Sequence, residues 1–257
     1  MERRSAGQRT CVCAARKRVD AEVVSLGPGR YSEVAGLMVD SFYQTDDNRL
    51  LSGPARRLLT EQAADMKSRF TGRQSAVLGV RDETGLVAAA GVVATPFIDG
   101  QMRPSLADMK RASMADDLRP VVSNVVVRSD ARRRGLAKAL MRACEDEARE
   151  WGYDKIWLVV LEKNRGARKL YKKLGYRIES RGVEVPKYEV VSGGLNATRL
   201  NGLIMRKSLK PGLAGALENT DPLTLVLGAG LLAAGVAVSR DPALLARAMQ
   251  LAAAVGV

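Results

Sequence analysis

Ser123-Asn124-Val125-Val126-Val127-Arg128 runs, four residues on, into Arg132-Arg133-Arg134-Gly135-Leu136-Ala137. Further along the chain come Asn164, Ala167, Leu170-Tyr171 and Gly175-Tyr176. The first part reads as a β-branched strand over Val121 to Arg128 that enters a basic turn containing glycine. The helix expected to follow, from about Arg133 to Trp151, places Leu136, Leu140, Cys144, Ala148 and Trp151 along one face. Free backbone N–H groups at a helix N-terminus, with glycine allowing close approach, form a binding place for a diphosphate. Arg132, Arg133, Arg134 and Lys138 bring positive charge to the same spot.

Behind this helix, Ile156 to Leu161 is a continuous apolar run, as expected of a strand buried on both faces. Asn164 is a good N-cap for a helix with the inner stripe Ala167, Leu170, Tyr171 and Leu174, and Gly175 ends it. Tyr176 to Ser180 and Leu203 to Ser208 read as two closing strands with a glycine-containing loop between them.

Upstream, residues 21 to 26 read as a short strand, followed by a turn at Pro28-Gly29 and a helix over Tyr31 to Phe42. A second helix is expected from Leu50 to Phe70. Ser75 to Val80 and Leu86 to Ala94 form a hairpin around Asp82-Glu83-Thr84-Gly85. Pro96 to Pro120 is largely polar, with three prolines, and reads as a long loop. The fold class expected is mixed α/β (α+β), a central sheet flanked by helices that ends near Lys210.

Composition excludes several chemistries. The 257 residues contain no histidine, which removes Ser-His-Asp and Cys-His nucleophiles and any histidine-based metal site. Of three cysteines, Cys11 and Cys13 give neither a disulfide framework nor a zinc cluster, and Cys144 reads as a small core residue. No metal is expected. Aromatics are 4%, too few for a base-stacking platform, so the net charge of +13 is not read as specific nucleic-acid binding.

The combined strand, turn and helix motifs resemble the acetyl-CoA core of the GNAT superfamily of N-acetyltransferases. The resemblance covers about residues 21 to 209 and is strongest from 121 to 178. It implies a GNAT-type sheet whose strand before the turn carries a bulge and splays from its neighbour, so that main-chain groups of Val125, Val126 and Val127 hold the pantetheine arm of acetyl-CoA. It implies cofactor contacts from Arg132, Arg133, Arg134, Gly135, Leu136, Ala137, Lys138, Asn164 and Tyr171. The Tyr171 hydroxyl becomes the proton donor to the departing thiolate. Asn124 is unusual in a buried strand. It either hydrogen-bonds across the splay or to substrate, or is a satisfied structural polar group. The general base is not readable; Glu162 is the best-placed candidate, then Asp116 or Asp117, and water is the alternative.

Within the superfamily the Ser-Asn-Val strand and arginine-rich turn look like the plastid enzymes that acetylate protein N-termini and lysine side chains. Residues 1 to 20 are expected to be a disordered transit peptide: residues 1 to 18 hold six cations against Glu2, and Val12-Cys13-Ala14-Ala15 resembles a plastid processing site. A mitochondrial address competes. The expected acceptor is a protein or peptide amine entering between Pro96–Pro120 and Arg181–Asn201, with Tyr188 lining the groove. The rival acceptor is a small cationic amine in a pocket made by Asp108, Asp116, Asp117, Glu184 and Glu189. A coenzyme-binding module without catalysis is the third reading. Residues 211 to 257 are expected to be an apolar extension in which Asp221-Pro222 and Asp241-Pro242 open two short helices, a hairpin (222–257) read as an appendage packed on the catalytic domain or on a second subunit, with membrane contact as the rival.

Overall fold

The structure, a computed structural model, describes residues 22–42, 53–98, 101–102, 117–191 and 194–220. The expected transit peptide and the expected hairpin of 222–257 lie outside these residues. In chain order come β1 (Val23–Ser25), α1 (Tyr31–Phe42), α2 (Gly53–Arg69), β2 (Ser75–Asp82), β3 (Gly85–Ile98), β4 (Gln101–Met102) and β5 (Asp117–Val127). Then follow α3 (Leu136–Glu150), β6 (Lys155–Leu161), α4 (Arg165–Lys173), β7 (Arg177–Val191), β8 (Gly194–Ser208) and α5 (Gly212–Asn219). The strands form one mixed sheet in the order β1-β2-β3-β5-β6-β8-β7, with β4 on the end of β3. Only β5 and β6 run parallel. This is the expected α/β architecture.

The period of two along β3 divides its side chains between two cores. Ala88, Ala90 and Val92 join Leu136, Leu140, Met141, Cys144 and Ala148 of α3 on one face. Ala89 and Val93 join Val34, Leu37 and Met38 of α1 and Met66 of α2 on the other. Each large side chain so buried contributes about 1.5–3 kcal/mol. The Phe70 ring, just past the end of α2, packs on the bare backbone of Gly91, where a Cβ would run into it. Gly91→Ala should therefore cost ~1–3 kcal/mol by overpacking. A urea titration should show a lower midpoint at unchanged slope.

Two expectations of loop are corrected. Part of the stretch from Pro96 to Pro120 is sheet: β3 runs on to Ile98 and β5 begins at Asp117, pairing Thr95 with Arg119, Pro96 with Leu118 and Phe97 with Asp117. The prolines fit because neither removes a ladder bond between these strands. The Ala94 N–H goes outward to the Gln74 carbonyl. Pro96 therefore points its missing donor past the start of β2, and Pro120, paired with Ala94, points its own away from β3. Residues 99–100 and 103–116 lie outside the described residues.

The stretch from Arg181 to Asn201 is likewise the outer part of a long antiparallel hairpin, β7–β8. Glu179 and Gly182 are extra residues in its ladder, and Gly182 has φ +73°. Two bulges break the alternation that would mark a strand in sequence.

Beyond Lys210 the chain folds back as α5. The Asn219 carboxamide accepts the Ser208 N–H at 2.7 Å and donates to the Ser208 carbonyl at 2.9 Å, while Lys210 pairs with Glu218 at 3.0 Å. Among the described residues no helix is long and apolar enough to cross a membrane.

Candidate active site

Pairing between the two parallel strands stops early. Val121 pairs with Trp157 and Val122 with Leu158, and no pair follows, although both strands continue for several residues. On its other edge β5 stays bound to β3, but across a bulge: Gly91 faces Ser123 and Ala89 faces Val126, so Asn124 and Val125 together oppose Ala90. Asn124 sits at φ +56° to make this possible. A bulge bends the strand, and the bend opens a wedge between β5 and β6.

The Arg128 N–H bonds to the Val87 carbonyl, so alternation commits Val126 to β3 and turns the N–H and C=O of Val127 into the wedge. The Arg132 Nε donates to that Val127 carbonyl at 3.1 Å. Of the three valines, Val126 is thus held by its neighbour strand and buried among α1 and α2 residues, whereas Val125 and Val127 pack toward α3.

Next comes the turn. A short 3-10 segment, Ser129–Ala131, is braced by Arg128, which reaches Asp130 at 2.7 Å, the Thr84 hydroxyl at 2.8 Å and Asp82 at 3.6 Å. Arg133 has φ +66° and Gly135 φ +92°. Alternating backbone handedness of this kind curls successive N–H groups inward as an anion nest. Gly135 is the N-cap of α3, and no side chain caps the helix. The first helical bond there is Ala139 N–H to the Gly135 carbonyl, which leaves the N–H groups of Leu136, Ala137 and Lys138 facing outward. Nothing stands within 4 Å of where a Gly135 Cβ would be. Leu136 is buried and anchors the helix, while Arg133 and Lys138 are exposed. The expected helix start at Arg133 moves to Leu136, because the nest needs non-helical residues.

On the second helix, the Asn164 Oδ1 accepts the Ala167 N–H at 3.1 Å, the expected cap. Tyr171 faces inward, 8% exposed, with its ring 6.0 Å from that of Tyr176. Tyr171 packs in the core cluster with Leu140, Met141 and Cys144 of α3. Burial, then the Cys144 thiol, pushes its pKa up to about 12, so the phenol keeps its proton across the working range. The outward face of α4 is wholly basic: Arg165, Arg168, Lys169, Lys172 and Lys173 line a shallow basin of about 550 Å³. That field attracts an anionic ligand toward the nest.

Glu162 lies at the end of β6. Its N–H bonds to the Asn201 carbonyl at 3.0 Å, its carbonyl accepts from Arg168 at 2.8 Å, and its carboxylate meets Arg181 at 3.4 Å. Asp117 is held bidentately by Arg119, whose guanidinium stacks 4.3 Å from the Phe97 ring centroid and 5.0 Å from that of Trp157. Glu184 is paired with Arg199 at 2.9 Å. Asp108 and Asp116 lie outside the described residues, as do the side chains of Tyr188 and Glu189. Sequence reading missed the Arg128–Thr84 brace and the unpartnered Ser123 hydroxyl beside the bulge; both depend on residues that meet only in the sheet.

A family model described as "Acetyltransferase (GNAT) family" matches residues 52–176, which span the wedge, the nest and α4. The chain carries a GNAT-family acetyltransferase domain. Among curated relatives, "GCN5-related N-acetyltransferase 4, chloroplastic" of Arabidopsis thaliana is 48% identical over 56 residues. That stretch is 22% of this chain and 19% of the relative, so the match spans about a fifth of the relative's length. Solved structures similar to the GNAT domain include the ribosomal-protein-S18-alanine N-acetyltransferase of Escherichia coli, with 16% identity over 74% of this chain and 95% of that one and a TM-score of 0.48. Naa20 of Chaetomium thermophilum, in complex with a bisubstrate analogue, is 18% identical over 73% of this chain and 86% of its own, at a TM-score of 0.47.

Proposed function

We propose that the domain transfers the acetyl group of acetyl-CoA to a primary amine of a protein, an N-terminal α-amino or a lysine ε-amino group, in the plastid. The observation that carries this is the wedge that opens directly after Val122 and Leu158, with the uncapped nest of α3 at one end and Tyr171 behind it. The residues fit the coenzyme. Uncapped N–H groups of Leu136, Ala137 and Lys138 suit a diphosphate, Arg133 and Arg134 add charge, and the wedge-facing N–H of Val127 can meet an amide carbonyl of a pantetheine arm, its own carbonyl being held by Arg132. Asn164, as cap of α4, stands at the same end.

Acetyl-CoA supplies an activated thioester. Tyr171 holds a proton at its Oη for the departing sulfur. The wedge places amine and thioester together, and ordering two reactants in this way removes much of the barrier. Glu162 is the proposed proton acceptor for the amine, its carboxylate standing 3.4 Å from Arg181.

Support for a peptide acceptor over a small polycation comes from the acids near the groove. Asp117, Glu162 and Glu184 are each engaged by an arginine, so among the described residues they make no free acidic pocket. The plastid assignment is supported by the chloroplastic relative, over its short stretch. The test is to offer the purified full chain acetyl-CoA with peptides bearing free N-termini, lysine peptides and polyamines. Peptide acetylation is expected, and transfer to polyamines alone would overturn the acceptor assignment.

Gly135→Val should weaken coenzyme A binding at least about tenfold. A β-branched residue resists φ +92°, and its side chain would fill the open approach to the nest. Calorimetry with coenzyme A checks it, and unchanged affinity would mean that the diphosphate lies elsewhere.

A further inference from the structure

We infer that the side chain of Asn124 is a catalytic hydrogen-bond donor, its Nδ2 placed to meet the carbonyl oxygen of the acetyl thioester. The inference rests on the acetyl-transfer reading above.

Three observations on one residue converge. Asn124 is one of two non-glycine residues at positive φ, +56°, among the described residues, a conformation that costs of order 1–3 kcal/mol when imposed on a residue inside a strand. Its Nδ2 is buried with no hydrogen-bond partner among the described residues, and an orphaned buried donor costs about 1–3 kcal/mol more. A merely structural asparagine would have satisfied that group, as Asn219 does by donating its Nδ2 to the Ser208 carbonyl at 2.9 Å. Both penalties fall at the mouth of the wedge. Continuing the β5–β6 register by two residues would set Asn124 opposite Val160, and there the strands no longer pair.

The bulge re-aims the side chain. In a regular strand consecutive residues point to opposite faces, but Asn124 and Val125 together oppose a single residue of β3. Val125 and Val160 belong to the cluster that contains Tyr171. The carboxamide therefore stands at the same opening as the phenol that serves the sulfur. In the reaction the amine nitrogen bonds to the acetyl carbon and the C–S bond breaks. The sulfur takes a proton from Tyr171, and the amine gives one up to base or water. Negative charge gathers meanwhile on the acetyl oxygen. A neutral amide donor held in advance for that oxygen needs no reorganisation when the charge appears. The strain at φ +56° is what fixes it there.

The test uses the full chain labelled with 15N and two variants. Asn124→Gly accepts the positive φ without strain, so it folds and lacks only the carboxamide. Asn124→Asp keeps shape and left-handed tolerance but has no donor. The side-chain amide resonance of Asn124, identified by its loss in Asn124→Gly, should shift on adding acetyl-CoA and not on adding coenzyme A, which has no acetyl carbonyl. Both variants should bind coenzyme A within about twofold of wild type yet lose about a hundredfold in kcat, the usual effect of removing one such donor. An unmoved resonance, a coenzyme A affinity that falls as far as kcat, or a glycine variant of undiminished kcat would each overturn the assignment. Failure of the wider reading looks different: wild-type protein that binds acetyl-CoA but acetylates no amine would leave the resonance shift to decide Asn124 alone.

Discussion

Tyr171→Phe should lower kcat about a hundredfold, with the KM for acetyl-CoA little changed, since general-acid help of this kind is worth ~10²–10⁴. The ring, which fills space beside Tyr176 and the α3 core, remains; only the proton donor goes. Steady-state kinetics on a peptide acceptor would show it, and unchanged turnover would remove Tyr171 from the chemistry. The pH profile gives a second reading. The folded pKa is about 12, above the ordinary 10, so the donor form persists through the alkaline range. Activity should rise with pH as the acceptor amine loses its proton, and should not fall through Tyr171 ionisation below about pH 11. The same shift bears on stability. A phenol whose folded pKa is raised favours the fold fully below pH 10 and loses that contribution between about pH 10 and 12.

Lys207→Met should destabilise the domain by about 3–5 kcal/mol. Glu145 of α3 is 3% exposed, and its carboxylate is held by the Lys207 ammonium at 2.7 Å, with Arg149 only at 4.0 Å. The Tyr176 hydroxyl is buried beside Glu145 without hydrogen-bonding geometry, and burial followed by that carboxylate raises its pKa well above the usual value. Removing the ammonium leaves a buried charge with almost no compensation. Urea unfolding of the variant beside wild type at neutral pH measures the loss as a lowered midpoint. Glu145→Leu combined with Lys207→Met should recover most of the loss, because an apolar pair of similar volume needs no compensation. A Lys207→Met variant as stable as wild type at neutral pH would show that Arg149 or water already carries the charge.

Much of the site can be read along the chain because it is built from local rules. The α3 stripe of Leu136, Leu140, Cys144 and Ala148, the Asn164 cap and the Gly175 stop with φ +91° all lie where their residue types put them. So do the β2–β3 hairpin around Gly85 and the inward turn of Tyr171, since each depends on residues within a turn or two. The bulge was expected only through family resemblance. Nothing near Asn124 dictates a left-handed conformation; the mismatch between β5 and β3 imposes it. The outer hairpin escaped notice because Glu179 and Gly182 interrupt its period, and the length of β3 because prolines hide a strand whose missing donors face outward.

The order of residues alone determined that a basic, uncapped helix start follows a valine strand and that a tyrosine looks inward from the next helix, since helix and strand periods are properties of neighbours in the chain. Only the assembled sheet decided where β5 leaves β6, which way Asn124 points, and that Glu145 meets Lys207 across 62 positions. Those depend on pairing register and on burial, and both arise when distant segments compete for the same partners.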